Sequence, residues 1–345
     1  MLAIEAIGAV SLENLPALTI LTGDDAGQFD LMKQQFLAQI GFDPADLNYA
    51  YFDMKEANYA DVEMDLVSLP FFADEKIVIL DHFQDLTTAK KRSLTDEELK
   101  SFEQYLEAPA ETTKLIVLAE GKLDSKRRIV KILKRDGQVF EAVEAKEQDL
   151  RAYFAKQAEQ AGLTFAPQVF EQLLIKSGFN FSELSKNLAF LKSYKGAGQV
   201  EEQDIVDAIP KTLQDNIFDL TQMVLGRKVD AARHLVRDLT LQGEDEVKLI
   251  AIMLGQFRMF TQVKILADTG QAEQQIVTSL SDYLGRKVNP YQVKFALRDA
   301  RSLSLPFLKT ALKTLIETDY QIKTGTYDKD YLFDLALLKI ATAGN

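Results

Sequence analysis

The first place to look for chemistry is Gly23-Asp24-Asp25-Ala26-Gly27-Gln28, which follows an apolar run and opens a helical pattern. Nucleotide-binding α/β folds keep their phosphate loop at this position. Such a loop needs a lysine for the β and γ phosphates and a Ser or Thr hydroxyl for magnesium. Here those places hold Gln28 and Phe29, and Asp24 and Asp25 would repel phosphate. A second partial signature, Ile77-Val78-Ile79-Leu80-Asp81-His82, puts an aspartate where ATPases present a magnesium ligand. Without the lysine and the hydroxyl, Asp81 has no phosphate to act on and reads as a strand-end carboxylate. The expectation is a degenerate phosphate loop (Gly23, Asp24, Asp25, Gly27, Gln28) that binds no nucleotide.

Other catalytic templates have no foothold. The chain has no cysteine, which removes disulfides, thiolate zinc sites and thiol nucleophiles together. His82 and His234 are the only imidazoles, and a lone histidine usually packs or hydrogen-bonds. Neither a G-x-S-x-G elbow nor an H-E-x-x-H helix occurs. No catalytic residue, metal or cofactor is therefore expected.

A different kind of chemistry is available in Ser68-Leu69-Pro70-Phe71-Phe72, just before Asp74-Glu75-Lys76. Pro70 blocks helix continuation, and adjacent aromatics cannot both face one core from a regular strand. At least one of Phe71 and Phe72 then projects outward, as an interaction anchor requires; the competing reading packs both rings under a sheet. Two cationic groups also stand out. Arg127, Lys131 and Lys134 share a helical face opposite Ile129, Val130 and Leu133, and Lys90-Lys91-Arg92 sits in a loop. Solvated faces account for most such charges, and a few phosphate contacts inside a larger assembly are the functional alternative.

The elements that carry these residues can be read from periodicity. Short apolar runs at 18–22, 48–52, 76–80, 114–118 and 138–141 alternate with amphipathic stretches such as 29–40 and 97–106. This is the pattern of βαβ units and a mostly parallel sheet. After residue 142 only helical spacing is visible: through Leu150, Tyr153, Phe154 and Ala161 to a stop at Gly162, then from Pro167, then from a Ser182 cap to Tyr194. A boundary falls near Ile209-Pro210-Lys211, and helices follow at 217–225, 230–241, 246–267, 290–302, 306–324 and 331–341. Asn289-Pro290 forms a cap and first turn. The resulting division is an α/β domain over 1–142, a small helical domain over 143–211 and an all-helical domain over 212–345.

Composition limits the partners. At 345 residues two or three domains are expected, and a hydrophobic share of 47% is enough for each to bury a core. A net charge of −12 argues against a protein that coats DNA by itself, because phosphate affinity comes from clustered cations. Residues 1–9 lack the pattern of a signal peptide, and the apolar runs at 77–80 and 249–254 fall far short of the ~20 residues that cross a bilayer. A cytoplasmic location and no membrane contact are expected.

Three features in this order resemble the delta subunits of the bacterial DNA polymerase III clamp loader. They are the 18–23 strand with Asp24-Asp25 in place of a phosphate loop, Ser68-Leu69-Pro70-Phe71-Phe72 before the 76–80 strand, and Asp319-Tyr320-Gln321-Ile322-Lys323-Thr324-Gly325 before a last helix through Leu335, Leu337 and Leu338. The resemblance implies an AAA+-type architecture: a RecA-like α/β domain, a three-helix lid and an all-α collar. It implies a non-ATPase subunit of the polymerase holoenzyme that binds and opens the sliding clamp (beta), so that the ring can be loaded on primed DNA. Leu69, Pro70, Phe71 and Phe72 would be its clamp-binding element. Its partners would be tau/gamma-type and delta prime subunits in a hetero-pentamer at the nucleoid-associated replisome, with DNA met only in the complex, near Lys323, Thr324 and Tyr327. The competing families are delta prime-like subunits and an eroded P-loop ATPase. The delta prime and tau types carry a Ser-Arg-Cys motif and usually a four-cysteine zinc module, which a chain without cysteine cannot supply.

Overall fold

The computed structural model describes residues 2–70, 73–285 and 288–343. By contact density the chain divides into two compact units, Met1–Ile209 and Pro210–Asn345.

In the first unit the apolar runs become β1 (Leu18–Gly23), β2 (Tyr49–Asp53), β3 (Lys76–Asp81), β4 (Thr113–Glu120) and β5 (Gln138–Glu141). They pair in parallel throughout, in the order β2-β3-β4-β1-β5. Side chains alternate across the sheet. Ile77 and Ile79 join Leu21, Ile116 and Leu118 in one apolar cluster, while Val78 and Leu80 join Ile20, Leu115 and Val117 in another. A parallel sheet buried on both faces requires near-continuous apolar strands, which is why β3 reads as an unbroken run. Helices α1 (Ala3–Ile7) and α2 (Ala26–Gln39) cover the first face. The second is covered by α3 (Tyr59–Val67), α4 (Asp96–Glu107) and α5 (Arg128–Asp136).

Residues 147–208 add α6 (Glu147–Gln160), α7 (Pro167–Lys176), α8 (Phe181–Lys195) and α9 (Glu202–Ala208). Their Leu150, Phe154, Phe181 and Leu184 belong to the same cluster as Phe29, Met32 and Phe36 of α2. The α/β and small helical stretches thus share apolar core inside one compact unit. Two features depart from the sequence reading. The short strands β6 (Leu163–Phe165) and β7 (Gly198–Val200) pair in parallel where only helices were expected, because three residues are too few to display a period of two. The cap of α8 is Asn180, whose side chain accepts from the Glu183 amide at 3.0 Å, rather than Ser182.

The second unit is all-helical: α10 (Leu213–Leu225), α11 (Val229–Leu241), α12 (Glu246–Asp268), α13 (Glu273–Leu284), α14 (Pro290–Ala300), α15 (Leu305–Lys323) and α16 (Lys329–Thr342). Its core centres on α12, with Leu249, Ile250, Met253, Phe257 and Phe260 buried among residues of the other helices. By length and composition α12 could cross a membrane, which corrects the expectation that no apolar segment approaches that length. Its buried stripe gives the apolarity another use, as the centre of a helical core.

Candidate functional site

The segment expected to be a degenerate phosphate loop joins β1 to α2. Gly23 has φ +138°, and a Cβ there would lie 2.0 Å from the Ala142 carbonyl oxygen, so only glycine fits. Asp25 then caps α2. Its Oδ1 accepts from the Gln28 amide at 3.0 Å, while its own amide donates to Ala142 O at 3.1 Å. A helix N-terminus normally offers such amides to a phosphate, and here a side-chain carboxylate takes one of them. The Gln28 side chain is buried and donates from Nε2 to Val143 O at 3.1 Å. A Cβ on Gly27 would sit 1.9 Å from Ser182 Oγ, so α8 closes over the first turn of α2. Carboxylate, amide and helix thus crowd the first turn of α2.

The neighbouring strand end is equally occupied. Asp81, almost fully buried, accepts from Lys33 Nζ, from the Tyr51 hydroxyl and, at 2.8 Å, from the His82 amide. Burial alone would raise its pKa. The hydrogen bonds from Lys33 and Tyr51 and the lysine charge outweigh that and hold it below the usual carboxylate range. Tyr51 moves the other way, its phenol pushed up by burial and by the bond to Asp81. His82 Nδ1 lies 3.0 Å from Asp53 Oδ1. The carboxylate that would carry magnesium in an ATPase is thus neutralised by an internal ammonium. Sequence reading noted the missing loop lysine but not that Lys33, on α2, faces Asp81. Among the described residues no group of three or more His, Asp or Glu side chains could hold a metal ion.

Leu69 and Pro70, the described part of the expected clamp-binding turn and here called the tip, lie between α3 and β3, at the opposite end of β3 from Asp81. Ser68 caps α3, its amide donating to Met64 O at 3.0 Å. Lys76, buried at the start of β3, donates to Ser68 Oγ at 2.7 Å and lies 3.9 Å from Asp65. Burial lowers the Lys76 pKa, and Asp65 partly restores it. Thr113 Oγ1 donates to Leu66 O at 3.3 Å, and Lys114 Nζ lies 2.7 Å from Glu75. From this pinned base Leu69 projects with 72% of its surface exposed, and Pro70 is half-buried. Phe71 and Phe72, expected to complete the anchor, lie outside the described residues. Met64 and Val67, at 63% and 60% exposure, add apolar surface that sequence reading missed. Recognising α3 would have shown it, since Tyr59, Val62 and Leu66 take the buried face and leave those two outside.

In the helical unit Lys323 Nζ bonds Asp319 at 2.8 Å, and Thr324 Oγ1 donates to Tyr320 O at 2.9 Å as α15 ends. Tyr327 is exposed and meets Tyr331 edge-on, with ring centroids 6.3 Å apart; Tyr320 is exposed as well. From sequence Tyr320 stood only within the 319–325 motif and Tyr331 only at the start of a helix, because one ring per helical turn also fits a core stripe.

Two sequence families match the chain. One, described as "DNA polymerase III, delta subunit", matches residues 20–143, and the other, "DNA polymerase III delta subunit, C-terminal domain", matches residues 214–340. The DNA polymerase III subunit delta of Bacillus subtilis (strain 168) is 28% identical over 297 residues, which cover 86% of this chain and 84% of that one. The solved structure of a Bacillus subtilis DNA clamp loader delta protein matches 99% of this chain and 100% of its own, at 25% identity and a TM-score of 0.59.

Proposed function

From the premise that the chain belongs to the DNA polymerase III delta-subunit family, we propose that it is the clamp-loader component that grips and opens the sliding clamp, without hydrolysing ATP itself. The observation that carries this reading is the exposed Leu69-Pro70 turn on its pinned base, because an apolar anchor held on rigid elements suits insertion into a partner's pocket. Phe71 and Phe72 extend the same turn in sequence. Two aromatic rings bury about 150 to 250 Å² each, roughly 4 to 6 kcal/mol per ring before ordering costs, and about 2 to 4 kcal/mol after them.

Opening then follows as a population shift. A clamp ring breathes at its subunit interface, and a partner that binds the open form more tightly displaces that equilibrium. The filled phosphate loop and the Lys33-neutralised Asp81 support a division of labour in which other subunits read ATP. Their closure would expose or withdraw the tip. The all-parallel order β2-β3-β4-β1-β5 supports a RecA-like, AAA+-type first domain, followed by a lid over 143–211 and a collar over 212–345 that joins the pentamer. Such a subunit would work at the replisome in the cytoplasm.

The test is clamp binding by the full chain carrying Phe71→Ala and Phe72→Ala, with folding checked by thermal melting. One ring's loss of about 2 to 4 kcal/mol is roughly 30-fold to several hundred-fold in Kd, and the double variant should lose at least that. Unchanged affinity in a folded variant would move the grip elsewhere. We further propose that Lys323, Thr324 and Tyr327 approach DNA in the assembled loader, supported by the exposure of Tyr327. Lys323→Ala with Tyr327→Ala should slow loading on primed DNA, and an unchanged loading rate would remove this contact.

A further inference from the structure

A cavity of about 410 Å³ opens in the all-helical unit where the end of α12, the start of α13 and the second half of α14 meet. That is room for a small ligand or for side chains of a partner. Its walls are of three kinds. Lys264, Lys294, Arg298 and Arg301 bring four cations to it, in a protein of net charge −12. Ala267, Leu297 and Ala300 supply an apolar stretch. Asp268 and Glu273 stand on either side of the turn from α12 to α13.

Helix ends account for part of this charge. Cations near a helix C-terminus complement its dipole, and Lys264 Nζ donates to Arg301 O at 3.4 Å while lying 3.8 Å from Asp268. Arg298 donates from Nε to Asp299 Oδ1 at 2.9 Å and lies over the Phe295 ring, 5.1 Å from its centroid. Lys294 and Arg301 have no such use. Both are exposed, and among the described residues neither has a carboxylate partner. Lys294, Arg298 and Arg301 also follow one another at spacings of four and three, which stacks like charges along one face of α14 and its end. Such neighbours repel, and a bound anion relieves the repulsion.

We propose that this cavity is a docking site for an acidic peptide segment of a partner protein, one that carries an apolar side chain beside its carboxylates. The three kinds of wall decide between occupants. A bare anion uses the cations and leaves the apolar stretch wet. A nucleic-acid backbone leaves it wet as well, and brings its phosphates against Asp268 and Glu273. An acidic and apolar peptide suits every part. Its apolar side chain covers Ala267, Leu297 and Ala300, and its carboxylates meet Lys294 and the Arg301 fork, whose paired donors match a carboxylate. Its backbone amides can donate to Asp268 and Glu273. The proposal stands apart from the clamp-opening reading, because its residues all lie in the second unit and its test needs neither clamp nor nucleotide.

The experiment titrates the full chain into a fluorescein-labelled peptide of five glutamates followed by two leucines, read by anisotropy. Binding should saturate, and should weaken severalfold as salt rises from about 0.05 to about 0.2 M. Lys294→Glu with Arg301→Glu turns two attractions into repulsions and should weaken it about tenfold or more, while Lys294→Arg should bind as wild type does. Melting temperature should not change in either variant. A second peptide, with serines in place of the leucines, should bind the wild-type chain about tenfold more weakly. Equal affinity for the two peptides would reduce the cavity to a plain anion site and overturn the proposal. So would an unchanged affinity in the folded double variant, which would seat the peptide elsewhere, or an absence of saturable binding. Displacement of the peptide by a single-stranded oligonucleotide at lower concentration than by unlabelled peptide would make nucleic acid the occupant instead. If the double variant melted early, the two peptides on the wild-type chain, with Lys294→Gln expected to bind severalfold more weakly, would still decide.

Discussion

At the scale of single residues, the groups that ligand chemistry would need have internal partners. Asp25 takes an amide that a phosphate would take, and Lys33 takes the carboxylate that a magnesium ion would take. The second substitution makes a sharp prediction. Asp81 has a side chain only 2% exposed, so removing its ammonium leaves a charge in low dielectric; Lys33, itself partly solvated, lets water recover some of the loss. Lys33→Met should therefore cost about 2 to 3 kcal/mol, at or below the low end of the range for breaking a buried pair. Adding Asp81→Asn should restore part of it, read as paired shifts in denaturant midpoint. Asp81's depressed pKa fixes the sign of its pH dependence: its stabilising contribution is present above the ordinary aspartate range and is lost as pH falls through the lower folded value. An unchanged midpoint in Lys33→Met would mean that Tyr51 and the His82 amide suffice. Part of this was legible in sequence, which shows that Gln28 and Phe29 stand where lysine and hydroxyl belong. The pairing of Lys33 with Asp81 was not legible, since it joins a helix to a strand end 48 residues away.

At the scale of elements, legibility followed the strength of the pattern. The runs at β1, β3 and β4 announce themselves because both faces of the sheet are covered. Helix α13 was missed because only Ile276, Val277 and Leu280 are buried and the polar residues around them blur the period. Helix α3 was missed for its length, and with it the apolar flank of the tip. Contacts between element ends were invisible to periodicity altogether. At the starts of α12 and α16, Lys329 Nζ lies 3.1 Å from Asp245 and 2.7 Å from Glu246. Beside them Asp330 is raised to about 6, first by its hydrogen bond to Glu246, then by burial and the repulsion of Glu246 and Asp328. Burial would raise Glu246 too, but the bonds from Asp330 and Lys329 hold it below its ordinary value. A carboxyl whose folded pKa is raised contributes stability that is complete below the unfolded value of about 3.9 and is lost as pH climbs through about 6. Thermal melts of Asp330→Asn and wild type between pH 4 and 7 should diverge, the variant lacking the downward step. Parallel curves would mean that the two acids do not share a proton.

At the scale of the whole molecule, the proposed function raises the question of how a chain that itself binds no nucleotide would come under nucleotide control. If ATP acts on its neighbours and the clamp acts on its tip, the two ligands share no atoms in this chain, and their coupling is a free energy carried by the assembly. Linkage then makes the coupling reciprocal: the factor by which ATP tightens clamp binding equals the factor by which the clamp tightens ATP binding, and such factors commonly lie at about 5- to 150-fold. Three measurements follow from one premise. The isolated full chain should bind the clamp with the same Kd with or without ATP and magnesium, and labelled ATP should show no saturable micromolar binding to it. The complete loader should show both factors, equal within error. The loader built with Phe71→Ala and Phe72→Ala should lose both together, because the only route from nucleotide to ring passes through the tip. Saturable ATP binding to the isolated chain would reassign the loop at Gly23 as a working site. Factors that persist in the double variant would place a second grip on another subunit and reduce this chain's turn to one contact among several.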